Sequence, residues 1–384
     1  MREILRQNCF DLLNESVLLT EIISDLKVTE ELEKFHQWTL NYCEYFIENA
    51  KSNLRDIDLG QDEILPDLLS EIQSLHQSFQ WFNRHLVGHL LRSSVSDRLC
   101  LKLIFWLHNI HIQTQKVPFG LNDGDFASVP SDNLPVIYYI PPSTQRRLLY
   151  LPLLFHEFGH VLYACHEPEM NLLVKDLQKK IAELLQPYSQ RDDIKAKADE
   201  QKRRQIVETW FEWTQELFCD AVGLVIGGPA FAKSFSMFLR LSGREAFHIP
   251  SDDLYSRTHP ITWIRIQLLA DRASKMGLNA LSSELTEAWT KIAQAILIEE
   301  DYFGFYESSF LPFVQKTIDD MLIETEPLAY TPIQDIADPS EISFEFNTDS
   351  SLPQLLNYAW MVFQKFPDNY PNWEKQLVKK ICDN

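Results

Sequence analysis

The segment FHEFGHVLYACHE, residues 155–167, places His156, Glu157, Gly159 and His160 inside an otherwise apolar, helix-like run. Five leucines lie in the seven residues before the segment, Phe155 begins it, and Val-Leu-Tyr continues it at 161–163. Burying charged or imidazole side chains costs several kcal/mol unless another group compensates them. A bound cation would compensate them, so this segment predicts a buried helix that binds a metal ion.

His156, Glu157 and His160 form the pattern H-E-x-x-H. On a helix, positions i and i+4 lie on one face, where two imidazole nitrogens can bind the same zinc ion. Glu157 points about a quarter turn away, where it can accept a proton from zinc-bound water. Gly159 costs about 1 kcal/mol relative to alanine in a helix, which predicts that another backbone packs closely there. The competing interpretation is two helix histidines satisfied by neighbouring side chains, without metal.

A catalytic zinc ion needs a third protein ligand. The second apolar helix, ETWFEWTQELFCDAVGLVIGGPA at 208–230, carries Glu216 and Asp220 one turn apart. This spacing lets Glu216 bind zinc while Asp220 accepts the other ring N–H of a ligand histidine, which fixes the imidazole tautomer. Glu208 and Glu212 on the same helix are rival ligands.

H-E-x-x-H followed by a helical E-x-x-x-D resembles the gluzincin metallopeptidases. The resemblance implies zinc as cofactor, Glu157 as the catalytic general base and Asp220 as an outer partner of His156. The zinc ligands that it implies are His156, His160 and Glu216. In this family an edge strand precedes the active-site helix and pairs with extended substrate. The apolar run VIYYI at 136–140 is the candidate for that strand.

A second motif lies in YSRTHPITWIRIQLL, residues 255–269. Within it, His-Pro at 259–260 and Arg-Ile at 265–266 form the pattern H-P-x-x-x-x-R-I. This pattern is similar to a late motif of the zinc endopeptidases related to the CAAX prenyl endopeptidase. By this resemblance, His259 stabilises the oxyanion of the tetrahedral intermediate, and Arg265 pairs with a carboxylate near the zinc. The alternative is a helix that begins after a proline and contains a helix-favouring arginine. Tyr255 and Tyr163 are other candidate electrophiles.

The remaining histidine pair with helical spacing is His85 and His89, in NRHLVGHLLR. The chain has no acidic residue between them and no evident third ligand. We therefore interpret this pair as structural, since a zinc site needs at least three protein ligands.

The fold class predicted from these patterns is mainly α (α+β), with a zincin-like catalytic core and a small β element beside the active-site helix. The predicted domains are an N-terminal helical region at 1–115, the catalytic domain at 116–310, and an acidic linker with a C-terminal helix at 311–384.

Residues 117–135 are rich in turn formers and predict a loop. The segment 317–350 contains nine acidic residues and no lysine or arginine, which predicts the linker. Gly-Gly-Pro at 227–229 should end the second helix of the site.

Composition limits the classes of partner. The net charge of −20 argues against a nucleic-acid or anionic-membrane surface, because both require basic patches. Six cysteines without a C-x-x-C pair indicate reduced thiols in a cytoplasmic protein. No apolar run approaches the ~20 residues of a transmembrane helix, so no membrane-spanning segment is expected.

The sequence therefore predicts a cytoplasmic zinc metallopeptidase, a hydrolase acting on a peptide or protein substrate. Endopeptidase action is favoured because the chain lacks a G-x-M-E-N run, which resembles the exopeptidase signature of gluzincins. The N-terminal helices are candidates for recruiting a partner protein. Two alternatives stay open: a catalytically inactive, zinc-binding helical interaction protein, and a zinc hydrolase that acts on an amide other than a peptide.

Overall fold

The computed structural model describes residues 2–60, 64–91, 98–130, 134–185, 194–240, 246–295, 302–333 and 352–383. Helices account for 77% of the structure, and the chain also forms a small three-stranded sheet, which confirms the mainly α (α+β) class. The chain divides into two compact units. The first comprises Met1–Phe105 and Lys116–Pro142, and the second comprises Trp106–Gln115 and Ser143–Asn384. This division differs from the predicted domains, because the strands belong to the N-terminal unit and the C-terminal helices to the second.

The helices of the first unit repeat buried apolar residues at spacings of three and four, as the sequence predicts. They are α1 (Arg2–Ser24), α2 (Glu33–Leu59), α3 (Leu65–Phe82), α4 (Gly88–Leu91) and the start of α5 (Arg98–Ile110). Between α3 and α4 the backbone forms a π turn at Asn83–Val87.

The sheet of the first unit has the order β1-β3-β2, with β1 at Phe119–Asp123, β2 at Ala127–Val129 and β3 at Val136–Ile140. β3 pairs in parallel with β1 and antiparallel with β2. The strand predicted from VIYYI is therefore present, but the prediction that it is an edge strand is wrong, because both of its sides are paired. Its nearly continuous burial is typical of a central strand. The loop predicted at 117–135 is also wrong for β1 and β2.

The second unit is helical. Its helices are α6 (Leu154–Cys165), α7 (Glu167–Leu184), α8 (Ile194–Leu239), α9 (Ser251–Leu254), α10 (Thr262–Lys275), α11 (Asn279–Ala295), α12 (Leu311–Thr325), α13 (Leu352–Lys365) and α14 (Tyr370–Asp383). Pro152 lies in a single 3-10 turn, Leu151–Leu153, directly before α6, where a missing N–H is tolerated.

The acidic linker predicted at 317–350 is wrong for residues 317–325, which belong to α12. Ile318 and Met321 are buried, whereas the acidic Asp319 faces outward and pairs with Arg272 and Lys275 of α10. The acidic composition thus marks the solvated face of a helix. Residues 326–333 have no regular structure, and 334–351 lie outside the described residues.

The break predicted at Gly-Gly-Pro is confirmed and divides α8 into a first limb, 194–227, and a second limb, 229–239. Gly228 has φ +58° and ψ −143°, a conformation that glycine adopts without a Cβ penalty. Asn357 of α13 holds both sides of the break: its Nδ2 donates to the Gly227 carbonyl at 2.8 Å, and its Oδ1 accepts from the Ala230 N–H at 2.9 Å.

Among the described helices, α8 is long and apolar enough to cross a membrane over Glu200–Leu239. However, 72% of its most apolar window is buried inside the protein. The core helix of a soluble protein satisfies the same length and composition test, so this feature is weak evidence for a membrane span.

Candidate metal centre

Helix α6 and the first limb of α8 bring the three predicted ligands together. The candidate ligand atoms of His156, His160 and Glu216 all lie within 4.8 Å of one another. Nε2 of His156 is 3.3 Å from Glu216 Oε2, and Nε2 of His160 is 3.5 Å from Glu216 Oε1. The rival ligands Glu208 and Glu212 are exposed. The arrangement therefore favours Glu216 as the third ligand.

The close approach of these two helices depends on Gly159. A Cβ atom at this position would lie 2.8 Å from Cα and 3.0 Å from Cβ of Cys219 on α8. The neighbour is backbone, which cannot move aside as the end of a flexible side chain can. This contact explains the glycine inside the H-E-x-x-H helix, and it confirms the close backbone packing that the sequence predicts.

The acidic groups of the centre are buried beside the Arg265 guanidinium. Glu216 and Asp220 are both buried, and Nη2 of Arg265 lies 3.3 Å from Glu216 Oε2 and 2.7 Å from Asp220 Oδ1. The buried Glu216 Oε2 nevertheless accepts no well-aligned hydrogen bond from any described residue. Two imidazoles and a carboxylate with such an oxygen are the ligand types that a three-ligand zinc site uses.

The pKa values of the two histidines shift in opposite directions. Burial lowers the pKa of His156, but Asp220 and Glu216 outweigh it and raise that pKa to about 10. The pKa of His160 is lowered to about 4 by burial and by the neighbouring His156 charge. The pKa of Glu216 is lowered, because His156 and Arg265 outweigh its burial. The imidazolium of His156 thus supplies positive charge here, and a metal ion would displace its proton on binding.

Asp220 joins His156 to Arg265. Arg265 donates from Nε to Asp220 Oδ2 at 2.8 Å and from Nη2 to Asp220 Oδ1 at 2.7 Å. His156 Nδ1 lies 2.9 Å from the same Oδ1. Burial raises the pKa of Asp220, but Arg265 and His156 more than offset this and hold the pKa below its ordinary value. The ionised Asp220 therefore orients the His156 ring so that Nε2 faces Glu216.

His259 lies against the ligand set on its exposed side. Its Nε2 is 3.3 Å from Glu216 Oε2, and 59% of its side chain is exposed. Its Nδ1 lies 2.9 Å from Thr258 Oγ1. The other two candidate electrophiles are bound elsewhere: Tyr163 donates to Asn171 Oδ1 at 2.7 Å, and Tyr255 donates to Glu208 Oε2 at 3.1 Å.

Phe235 is the residue of the centre that the sequence did not reveal. Its ring lies 5.9 Å from the His156 ring, with an interplanar angle of 21°. The guanidinium carbon of Arg265 lies 4.8 Å from the centroid of the same ring. The Gly-Gly-Pro break predicts that the helix changes direction before Phe235, but no local pattern shows that the chain returns to the histidines.

No protein-family model, curated protein or solved structure matches the chain. The likeness to gluzincins therefore lies in short motifs.

Proposed function

We propose that this protein is a zinc-dependent metallopeptidase, with His156, His160 and Glu216 as the residues that hold the metal. The observation that carries the proposal is the convergence of the H-E-x-x-H helix with the buried Glu216, which brings three candidate ligand atoms within 4.8 Å of one another. When bound, zinc polarises a scissile carbonyl and lowers the pKa of a coordinated water.

Glu157 is the proposed general base. It is 6% exposed and follows His156 directly on α6, so it lies in the water-poor environment that strengthens electrostatic interactions. A carboxylate at this position takes a proton from the attacking water and passes it to the leaving amine.

His259 is the proposed electrophile. Its exposed imidazole borders Glu216 on the side from which substrate can approach. An imidazole N–H at this position can donate to the oxyanion that develops on the substrate carbonyl. The neighbouring Thr258 hydroxyl, 2.9 Å from Nδ1, restrains the ring.

The test uses the zinc content and the peptide-hydrolysis rate of the wild type, Glu157→Gln and Glu212→Gln. We expect about one zinc ion per chain in all three proteins. Glu157→Gln should lower kcat by about 10²–10⁴-fold, because it removes the general base and keeps the ligands. Glu212→Gln is the matched control, since Glu212 lies one turn before Glu216 on the same helix but is exposed.

A wild-type protein without zinc after purification in zinc-containing buffer would contradict the metal centre. Zinc binding without hydrolysis of any peptide would instead favour a zinc-binding interaction protein. Hydrolysis of a non-peptide amide alone would place the protein among other zinc hydrolases. Endopeptidase specificity and a cytoplasmic location remain predictions of the sequence.

A further inference from the structure

Arg265 is a buried cation whose contacts differ between the edge and the face of its guanidinium. The residue is 5% exposed, and its edge forms the two-bond pair with Asp220. Its face lies over the ring of Phe235, with the guanidinium carbon 4.8 Å from the ring centroid. A cation over an aromatic face is attracted by the ring quadrupole, and this attraction is strongest where water is excluded. Phe235 is 4% exposed, so that condition is met.

The same ring supports the His156 imidazole. The two rings are 5.9 Å apart and nearly parallel, and the edge of the imidazole lies 2.9 Å from Asp220. Phe235 therefore contacts both groups that Asp220 binds. A rigid apolar wall at this position limits the rotation of His156 and Arg265, whereas the carboxylates of Asp220 and Glu216 contact only their edges.

The break in α8 is what brings Phe235 to this place. Phe235 follows Asp220 by fifteen residues, which would separate the two by about 22 Å in a straight helix. At Gly228 the chain turns, and Asn357 satisfies the backbone groups on both sides of the turn. The second limb can therefore return Phe235 to the Asp220 neighbourhood without leaving those groups unpaired.

We propose that Phe235 is a positioning residue, which holds the Arg265–Asp220–His156 chain in the orientation that the metal ligand His156 requires. This inference rests on the proposed metal centre. Phe235 acts through His156 and Arg265, and it is assigned no contact with substrate.

The test compares three variants of the full-length protein, and its first readout is zinc affinity measured by competition with a chelator. Phe235→Leu removes the aromatic face and retains an apolar side chain. Phe235→Tyr retains the face. Phe231→Leu is the matched control, because Phe231 is fully buried on the same limb and stacks on Phe235 at 5.2 Å.

We expect Phe235→Leu to weaken zinc affinity by about tenfold. This is the lower end of the loss, about 10–100-fold, that follows when a residue supporting a metal ligand is removed. At saturating zinc, kcat should fall while KM stays within about twofold, since no substrate contact is removed. Phe235→Tyr should recover most of the affinity. Phe231→Leu should lower the melting temperature to a similar degree as Phe235→Leu, with zinc affinity within about twofold of wild type.

Equal losses of zinc affinity in Phe235→Leu and Phe231→Leu would overturn the inference, because they would show a general packing effect. Unchanged affinity in Phe235→Leu would overturn it as well. Either result, with zinc still bound by the wild type, would leave the proposed function intact. Failure of the wild type to bind zinc would contradict the proposed function itself.

Discussion

Two segments of this protein have the same H-x-x-G-H spacing but different surroundings. HEFGH at 156–160 belongs to the second unit, and HLVGH at 85–89 belongs to the first. HEFGH lies within a regular helix that faces Glu216 and Asp220 of α8. Among the described residues, the ligand cluster formed around HEFGH is the one that could hold a metal ion.

HLVGH begins inside a π turn, Asn83–Val87. A π turn pairs residues i and i+5, so the i, i+4 pair no longer lies one above the other as in an α-helix. His85 is exposed with its ring 5.4 Å from that of Trp81, and the His89 ring is 6.3 Å from that of Tyr139. Both segments contain two histidines at helical spacing. Only HEFGH combines this spacing with a regular helix and with carboxylates on a facing helix, and this combination makes it a candidate metal centre.

The two segments should differ most in their effect on zinc content when one histidine is removed from each. His160→Ala removes one of the three proposed ligands, so zinc content and peptide hydrolysis should both fall to background. His89→Ala, the matched change in HLVGH, should leave the zinc content unchanged. Elemental analysis of the two purified variants measures this directly. Equal zinc content in both would show that HEFGH is not the metal centre.

The second difference concerns Asp220, which orients His156 from the facing helix. Asp220→Asn removes the charge that pairs with Arg265 and His156, so we expect zinc affinity to fall by about 10–100-fold. Arg265 would keep only Glu216 Oε2, 3.3 Å from its Nη2, as a carboxylate partner, so the free energy of unfolding should also fall, by about 3 kcal/mol. Chelator competition and urea denaturation measure the two effects.

The control for this change is Asp176→Asn. Asp176 is an exposed residue that pairs with Lys179 on α7, so solvent screening makes its loss nearly neutral for stability. A zinc affinity of Asp220→Asn equal to that of this control would show that His156 needs no carboxylate partner.

The sequence predicted the parts of the centre that depend on local helix geometry. His156 and His160 share a helix face because they are one turn apart, and the same holds for Glu216 and Asp220. The approach of the two helices could also be predicted, since a glycine in a buried helix indicates close backbone packing. Glycine and proline in series marked the end of the first limb of α8.

The features that the sequence did not predict depend on contacts between segments that are distant in the chain. β1 and β2 form in a turn-rich stretch because β3 supplies partners on both sides. α12 forms in an acidic stretch because its apolar residues occupy one face and Asp319 pairs with Arg272 and Lys275 of α10. Phe235 reaches His156 because of the angle of the Gly228 turn, which no sequence pattern specifies. In each case a contact distant in the chain decides the outcome.

The smallest difference lies in the glycines of the two segments. Alanine at Gly159 would place its Cβ 2.8 Å from Cys219 Cα, whereas a Cβ at Gly88 would meet no atom within 4 Å. Gly159→Ala should therefore force α6 away from α8 and lower the free energy of unfolding by about 1–3 kcal/mol. Gly88 has a helical φ of −55°, so Gly88→Ala should instead be neutral or stabilise by up to about 1 kcal/mol. Urea denaturation of the two variants tests the opposite signs. A Gly159→Ala protein as stable as Gly88→Ala would mean that α6 and α8 can separate without cost. The conclusion that their close approach brings the three ligands together would then be wrong.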